Sequence, residues 1–127
     1  MTVTVDSSAL IAAITDFEYS DDTAGRAIAD AQLIAPHVVD LEVAHGLRRL
    51  DRAADTDAAV AFRRYRLVSI RRYDHGPLMS RIWDLRHNLS AYDAAYVALA
   101  ETTGTPLLTL DRRIANAPGH HAEVIVL

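Results

Sequence analysis

Short apolar segments alternate with helical segments along the whole chain, and this alternation limits the possible folds more than any other feature. The apolar segments predict strands at Thr2–Val5, Gln32–Ala35, Leu67–Ile70, Leu107–Leu110 and Glu123–Leu127. The segments between them predict helices at Ser7–Ile14, Asp22–Ala31, His37 to about Arg52, Asp55–Arg66, Pro77–His87, 90–101 and Asp111–Ala115. Pro36 is expected in the first turn of the third helix, where its missing N–H is tolerated. Strands that alternate with helices favour an α/β fold with a mostly parallel sheet.

The composition is typical of one globular domain, and we expect a single domain over residues 1–127. Half of the residues are apolar, which is enough for a hydrophobic core. No apolar run reaches the roughly 18 residues of a membrane span, and no basic residue precedes the first apolar stretch as it would in a signal peptide. Cysteine is absent, which excludes disulfides and thiolate sites. These features favour a cytoplasmic protein with no membrane partner.

Charge is distributed unevenly along the chain. The net charge is −4, yet eight Arg stand against three Asp between residues 48 and 72. Such a basic segment can bind a phosphate backbone, although each Arg taken alone can equally lie on a solvated helix face. The chain contains no Lys. This absence argues against a phosphoacceptor signalling domain, which would need a lysine near its last strand.

Three aspartates are predicted at one edge of the sheet. Asp6 directly follows the apolar segment TVTV and Asp111 directly follows LLTL, so both lie at the carboxyl ends of strands. Asp93 lies in the first turn of the helix that leads into the Leu107–Leu110 strand, and a helix antiparallel to that strand begins at the same edge. Ligands bind at this edge in open α/β sheets. Each aspartate alone also fits a helix cap, and Ser90-x-x-Asp93 matches a capping box.

Glu42 is the fourth candidate acid. It shares a helix face with Val38, Val39 and Gly46, which predicts a position toward the buried side of the helix. A partly exposed position at the rim is the alternative. Four carboxylates that converge on one edge repel one another unless a cation is present. All-oxygen ligands suit Mg²⁺ or Mn²⁺, which support phosphodiester hydrolysis by activating a water molecule. A metal-dependent phosphatase or a DNA nuclease fits the same four acids.

The six histidines do not predict a metal site. They are spread over different predicted elements, and no HExxH motif occurs.

Four motifs together resemble a known family. They are VDSSALI around Asp6, DLEVAHGLRR around Glu42, HNLSAYDAAYVALAE around Asp93 and TLDRRI around Asp111. In this order and spacing they resemble the PIN-domain ribonucleases, and more narrowly the VapC toxins of bacterial VapBC toxin–antitoxin modules. The resemblance covers nearly the whole chain. It implies a PIN domain, which is a three-layer α/β/α sandwich around a mostly parallel central sheet.

The resemblance also implies roles for individual residues. The family's acidic site, which would hold one or two Mg²⁺ or Mn²⁺ ions, maps onto Asp6, Glu42, Asp93 and Asp111. Supporting or RNA-contacting roles fall on Ser8, Thr109, Arg112 and Asn116. The two hydroxyls would support the acids, the arginine would contact RNA phosphate, and the asparagine would lie near the metal. A helix cap is the alternative for Ser8, and a plain surface position is the alternative for Arg112.

The activity that the resemblance implies is endonucleolytic cleavage of RNA by metal-activated water. The implied targets are structured RNAs such as tRNA or a ribosomal RNA loop. The implied partners are a cognate VapB-like antitoxin, which lays a C-terminal segment across the site, and a second copy of the chain in a homodimer. The alternative is a non-catalytic RNA- or protein-binding α/β module whose acids only cap helices. Such a module would bind no metal.

Overall fold

The computed structural model describes residues 1–15, 23–53 and 57–127, which form a parallel sheet covered by helices. The strands are β1 (Thr2–Val5), β2 (Gln32–Pro36), β3 (Ile70–Tyr73), β4 (Leu107–Thr109) and β5 (Val124–Val126). The helices are α1 (Ser7–Thr15), α2 (Thr23–Ala29), α3 (Val38–Ala53), α4 (Ala58–Leu67), α5 (Met79–Asp84), α6 (Ala91–Thr103) and α7 (Arg112–Asn116), with a short 3₁₀ helix at Gly76–Leu78. Within the described part of the chain, no helix is both long and apolar enough to cross a membrane.

All strand pairs of the sheet are parallel, as the alternating pattern predicts. The strand order is β3-β2-β1-β4-β5, which places β1 at the centre. From β1 the chain moves to β2 and β3 on one side, and then crosses to β4, which pairs with β1 through Val5 and Leu108. The strand order therefore reverses between β1 and β4, and a crevice opens outside the carboxyl ends of the strands at such a switch point. Asp6 follows β1 and Asp111 closely follows β4, so the topology puts both acids at this crevice.

Right-handed crossovers distribute the helices between the two faces of the sheet. The connections from β1 to β2 and from β2 to β3 put α1 to α4 on one face, where α1 contacts α2, α3 and α4. The connections toward β4 and β5 put α5, α6 and α7 on the other face, where α6 packs on β1, β2 and β4. The result is the three-layer α/β/α sandwich that the resemblance implies.

The central strand and α6 are the most deeply buried elements. Val3 and Val5 of β1 are fully buried, and so is the Ala-rich stretch from Ala94 to Ala100 in α6. Gly104 ends α6 with a φ of 65°, a left-handed conformation that glycine adopts without steric cost. Because α6 ends just before β4 begins, its first turn lies at the opposite end of β4, beside the carboxyl edge.

The third strand begins three residues later than predicted. Leu67 is the last residue of α4, and Val68 caps that helix by donating its N–H to the Tyr65 carbonyl at 3.0 Å. The strand is Ile70–Tyr73, at the edge of the sheet, where two exposed arginines are tolerated because one side of the strand has no neighbour. These charged residues conceal the strand in the hydropathy pattern.

Two predictions on helices are also wrong. Pro36 ends β2 instead of beginning α3, and its missing N–H breaks no bond to β1 because the β1–β2 ladder already ends at Ile34. The predicted helix Pro77–His87 is a 3₁₀ turn followed by α5, which ends at Asp84 with Leu85 as its C-cap. Two predicted helix starts lie outside the described residues, namely Asp22 and Asp55.

Candidate active site

Asp6 is buried directly after β1, with only 5% of its surface exposed. Its Oδ1 accepts hydrogen bonds from the Ser8 hydroxyl at 2.6 Å and the Ala9 N–H at 3.0 Å, and its Oδ2 accepts one from the Thr109 hydroxyl. Burial raises the pKa of Asp6, these three hydrogen bonds lower it, and the Asp93 carboxylate raises it. The bond from Ala9 also caps the start of α1, so the capping role that the sequence allows for Asp6 is present.

Ser8 and Thr109 connect the ends of β1 and β4 around Asp6. Thr109 is fully buried, and its hydroxyl accepts a hydrogen bond from the Asp111 N–H at 2.9 Å. The Ser8 hydroxyl accepts one from the Leu110 N–H at 3.0 Å. Each hydroxyl therefore donates to Asp6 and accepts from the segment that follows β4, which fixes the two strand ends relative to each other.

Glu42 lies at the start of the second turn of α3 and contacts α6. Its Oε1 accepts a hydrogen bond from the hydroxyl of Tyr96 at 2.6 Å. Burial raises the pKa of Glu42, the Tyr96 hydroxyl lowers it, and the carboxylates of Asp93 and Asp6 raise it. Glu42 is only half-buried. It nonetheless interacts with both aspartates, so it belongs to the same cluster of acids.

Asp93 lies in the first turn of α6. The hydroxyl of Ser90, the N-cap residue, accepts a hydrogen bond from the Asp93 N–H at 3.1 Å, which is one half of the predicted capping box. Burial raises the pKa of Asp93, the Ser90 hydroxyl lowers it, and the Asp111 carboxylate raises it. Asp93 is thus part of a helix cap and, at the same time, electrostatically coupled to the other acids.

Asp111 caps α7 and pairs with an arginine. Its Oδ1 accepts a hydrogen bond from the Arg113 N–H at 2.9 Å, and the Arg113 guanidinium donates to both carboxylate oxygens at 2.8 and 3.0 Å. The hydrogen bonds from Arg113 lower the pKa of Asp111. Arg112 and Asn116 lie exposed at the two ends of α7. Within the described residues, no hydrogen bond or ion pair joins either of them to the acids.

The donor chemistry of the cluster fits a divalent cation, although the ligand set is not closed. In the ranges that the structure describes, no three Asp, Glu, His or Cys side chains stand close enough to hold a metal ion together. The acids already have protein partners, among them the Thr109 hydroxyl for Asp6, the Tyr96 hydroxyl for Glu42 and the Arg113 guanidinium for Asp111. The Asp93 carboxylate still raises the pKa values of Asp6 and Glu42, and Asp6 raises that of Glu42. The Asp111 carboxylate raises the pKa of Asp93. Such mutual repulsion favours a cation between them, and carboxylate oxygens suit Mg²⁺ or Mn²⁺.

A groove leads away from Glu42 along α3. Its volume is about 640 Å³, and its apolar walls include Ile11 and Leu41. His45 and Arg49 line the same groove and follow Glu42 by three and seven residues, which places all three on one helix face. The groove therefore runs from an acidic end to a basic end.

Two residues that contact the acids do not stand out in the sequence. Tyr96 fits an ordinary core position, and it is indeed buried. Its spacing of three residues from Asp93 is the signal that could have identified it, because residues three apart share a helix face. Arg113 is one of thirteen arginines, and nothing in its local sequence distinguishes it from the neighbouring Arg112.

Residues 3–119 match the family model described as the PIN domain. The chain belongs to the PIN-domain family. The VapC ribonuclease Mb0985 of Mycobacterium bovis is 44% identical over 117 residues, which cover 90% of this chain and 89% of the relative. Within the PIN-domain family, the chain is therefore a member of the VapC group.

Two solved structures show the same PIN-domain fold. VapC20 of Mycobacterium tuberculosis, described as a sarcin–ricin loop cleaving toxin, aligns with a TM-score of 0.67 and 23% identity over 94% of this chain and 96% of its own. VapBC2 of Rickettsia felis, bound to a DNA fragment from its promoter, aligns with a TM-score of 0.69 and 12% identity over 98% of each chain. At these identities the similarity shows the fold alone.

Proposed function

We propose that the chain is a single PIN domain, residues 1–127, that acts as the ribonuclease toxin of a type II toxin–antitoxin module. The 44% identity to a VapC ribonuclease over 90% of the chain supports this function. The cluster of acids at the switch point of the sheet supports it independently. The proposed reaction is hydrolysis of internal RNA phosphodiester bonds, dependent on Mg²⁺ or Mn²⁺.

The proposed catalytic residues and metal ligands are the four acids Asp6, Glu42, Asp93 and Asp111. When bound, Mg²⁺ or Mn²⁺ supplies a water molecule of lowered pKa and a positive charge beside the scissile phosphate. Asp6 is the fixed side of the site because Ser8, Ala9 and Thr109 hold both of its oxygens. Asp111, at the more exposed side, can exchange its partner Arg113 for a ligand.

The groove along α3 is the proposed path of the RNA. Arg49 lies in it, and its charge complements a phosphate backbone. Further exposed arginines on α3 and α4 extend this basic surface. Two members of the predicted basic segment have other roles, because Arg72 pairs with Asp40 and Arg64 donates to a backbone carbonyl of α1.

Helix α7 is the proposed second RNA contact. Arg112 at its start would bind a phosphate, and Asn116 at its end would add a polar group near the metal. The proposed substrate is a structured RNA, either tRNA or ribosomal RNA. The ribosomal alternative is the kind of target named in the description of VapC20, a sarcin–ricin loop cleaving toxin of the same fold.

The proposed partners are a VapB-like antitoxin and a second copy of the chain. Ile11 and Leu41 in the groove walls suit apolar side chains of an antitoxin segment, and Arg49 suits an acidic one. Antitoxin and RNA would then compete for one surface, and the proposed inhibition would follow from that competition. Met79 and Trp83 on α5 are 53% and 66% exposed, and exposed apolar side chains of this kind favour a homodimer.

The observation that carries the proposal is that the Asp93 carboxylate raises the pKa values of Asp6 and Glu42, and the Asp6 carboxylate raises that of Glu42. Thermal melting of the wild type and of Asp93→Asn, in EDTA and in Mn²⁺, tests it. At ten times its Kd a ligand stabilises a fold by about 1.4 kcal/mol, so Mn²⁺ should raise the wild-type Tm. Asp93→Asn should melt at or above the wild type in EDTA, because repulsion is relieved, and should lose most of the Mn²⁺ shift. Asp84→Asn, on an exposed position of α5, should keep the shift.

The opposite result supports the non-catalytic module, a function favoured by the helix-capping bonds of Asp6 and Asp111. In that case Mn²⁺ does not change the Tm of either protein, and Asp93→Asn melts below the wild type.

A cleavage assay distinguishes a ribonuclease from a DNA nuclease. The wild type and Asp93→Asn are each incubated with tRNA, ribosomal RNA and a DNA of matched sequence. Cleavage of RNA by the wild type alone is the expected outcome.

A further inference from the structure

A buried tyrosine joins the two helices that supply acids to the site. Tyr96 is 1% exposed, and its hydroxyl donates to Oε1 of Glu42 at 2.6 Å. Tyr96 belongs to α6 and Glu42 to α3, so this hydrogen bond links opposite layers of the sandwich across the carboxyl edge of the sheet.

The position of Tyr96 on its helix relates it to a second acid. Asp93 precedes it by three residues, so the two side chains lie on the same face of α6. Helix α6 therefore supplies one carboxylate directly, from its first turn. One turn further along, α6 supplies the Tyr96 hydroxyl, which binds the Glu42 carboxylate of α3.

The hydrogen bond constrains Glu42 more than it constrains Tyr96. The tyrosine ring is packed in the core on all sides, whereas Glu42 is half-buried on a side chain with three rotatable bonds. Burial and the Glu42 carboxylate both raise the pKa of Tyr96, so its hydroxyl remains a donor. The Ser7 side chain also lowers the pKa of Glu42, so Tyr96 is the more buried of two hydroxyls that act on this carboxylate.

We propose that Tyr96 is a positioning residue, whose hydroxyl holds the Glu42 carboxylate toward Asp6 and Asp93 so that a divalent cation meets a pre-oriented ligand. This role rests on the proposed metal-dependent function. It differs from a purely structural role, in which Glu42 only satisfies the buried hydroxyl. A structural role would affect the stability of the fold and leave the affinity for the ion unchanged.

The chain offers a matched control in Tyr65. The Tyr65 hydroxyl also donates to a carboxylate oxygen, Oδ1 of Asp40, at 2.6 Å, and Tyr65 is 5% exposed. The Asp40 carboxylate is tied to Arg72 and takes no part in the acidic cluster. Tyr65→Phe therefore removes an equivalent buried hydroxyl whose partner is not one of the proposed metal ligands.

The experiment is a calorimetric titration of the metal-free full chain with Mn²⁺, for the wild type, Tyr96→Phe and Tyr65→Phe. Water can reach the half-buried Glu42 and replace the lost donor, so Tyr96→Phe is expected to fold. Melting curves in EDTA establish that all three proteins are folded at the temperature of the titration. Loss of a residue that orients a metal ligand weakens metal binding by about 10-fold or more. We expect that increase in Kd for Tyr96→Phe and an unchanged Kd for Tyr65→Phe.

Two results would overturn the positioning role and leave the metal site intact. One is a Kd for Tyr96→Phe equal to that of a wild type that binds Mn²⁺. The other is an equal weakening in both phenylalanine variants, which would reflect a general loss of stability. A wild type that binds no Mn²⁺ at all overturns the proposed metal site, and the role of Tyr96 with it.

Discussion

The carboxylate of Asp111 is occupied by the guanidinium of Arg113, with Nε to Oδ1 at 3.0 Å and Nη2 to Oδ2 at 2.8 Å. Arg113 also lies close enough to Asp93 for the aspartate charge to raise the pKa of Arg113, after the larger effect of Asp111. One cationic side chain thus interacts with two of the four proposed metal ligands. A divalent ion and Arg113 would compete for the same oxygens.

Arg113→Gln is therefore expected to tighten Mn²⁺ binding severalfold, because the competing cation is removed while the backbone N–H that caps α7 stays. Calorimetric titration of the metal-free protein measures the change. Arg112→Gln removes the same charge from the neighbouring exposed position and should leave the Kd unchanged. Equal or weaker Mn²⁺ binding by Arg113→Gln would contradict the competition.

The placement of Asp6 and Asp111 could be predicted because it depends on local pattern alone. An acid that directly follows an apolar strand lies at the carboxyl edge, and in a parallel sheet all such acids share that edge. The α/β class and the parallel sheet followed from the same pattern. The position of Asp93 needed one further step, the antiparallel packing of a helix against the strand that follows it.

The contacts that complete the cluster depend on packing between distant segments. Tyr96 and Glu42 are 54 residues apart, and only the approach of α3 and α6 brings them together. The offset of β3 has a related cause. An edge strand buries little of its surface, so the hydropathy of Ile70–Tyr73 does not distinguish it from the end of the preceding helix.

Thr109→Val is expected to destabilise the metal-free protein in a pH-dependent manner. The variant removes the hydroxyl that donates to Oδ2 of the buried Asp6, and an under-satisfied buried carboxylate costs about 1–3 kcal/mol at pH 7. Burial raises the pKa of Asp6 above the ordinary value of 3.8, so this carboxylate takes up its proton at a higher pH than an exposed aspartate does. The cost of the lost hydroxyl should shrink as Asp6 becomes protonated, since the neutral acid needs fewer donors. Urea unfolding in EDTA from pH 7 to pH 4 measures it.

Thr4→Val is the matched control for Thr109→Val. Thr4 is also fully buried at the sheet, but its hydroxyl bonds to the hydroxyl of Thr105 at 2.8 Å. No charged group is involved, so its loss should cost about 1 kcal/mol at every pH of the series. If the two valine variants show the same pH profile, the hydroxyl of Thr109 does not act through the Asp6 charge.

Asp40 should stabilise the fold at neutral pH and lose that effect in acid. Its carboxylate accepts hydrogen bonds from Arg72 and Tyr65, and the bonds from Arg72 are the main reason why its pKa lies below the ordinary value of 3.8. The unfolded chain therefore takes up the proton first as the pH falls. The stabilisation is complete above pH 3.8 and disappears as the pH drops through the lower pKa of the folded state.

The Asp40 side chain is 40% exposed and that of Arg72 is 32% exposed, so solvent screening limits the contribution to about 1 kcal/mol. Urea unfolding of the wild type and Asp40→Asn from pH 7 to pH 3 should show a difference in unfolding free energy of that size at pH 7, declining below pH 3.8. Asp51→Asn, at an exposed position of the same helix, should match the wild type throughout. A difference for Asp40→Asn that stays constant down to pH 3 would mean that the ion pair with Arg72 does not set the pH dependence.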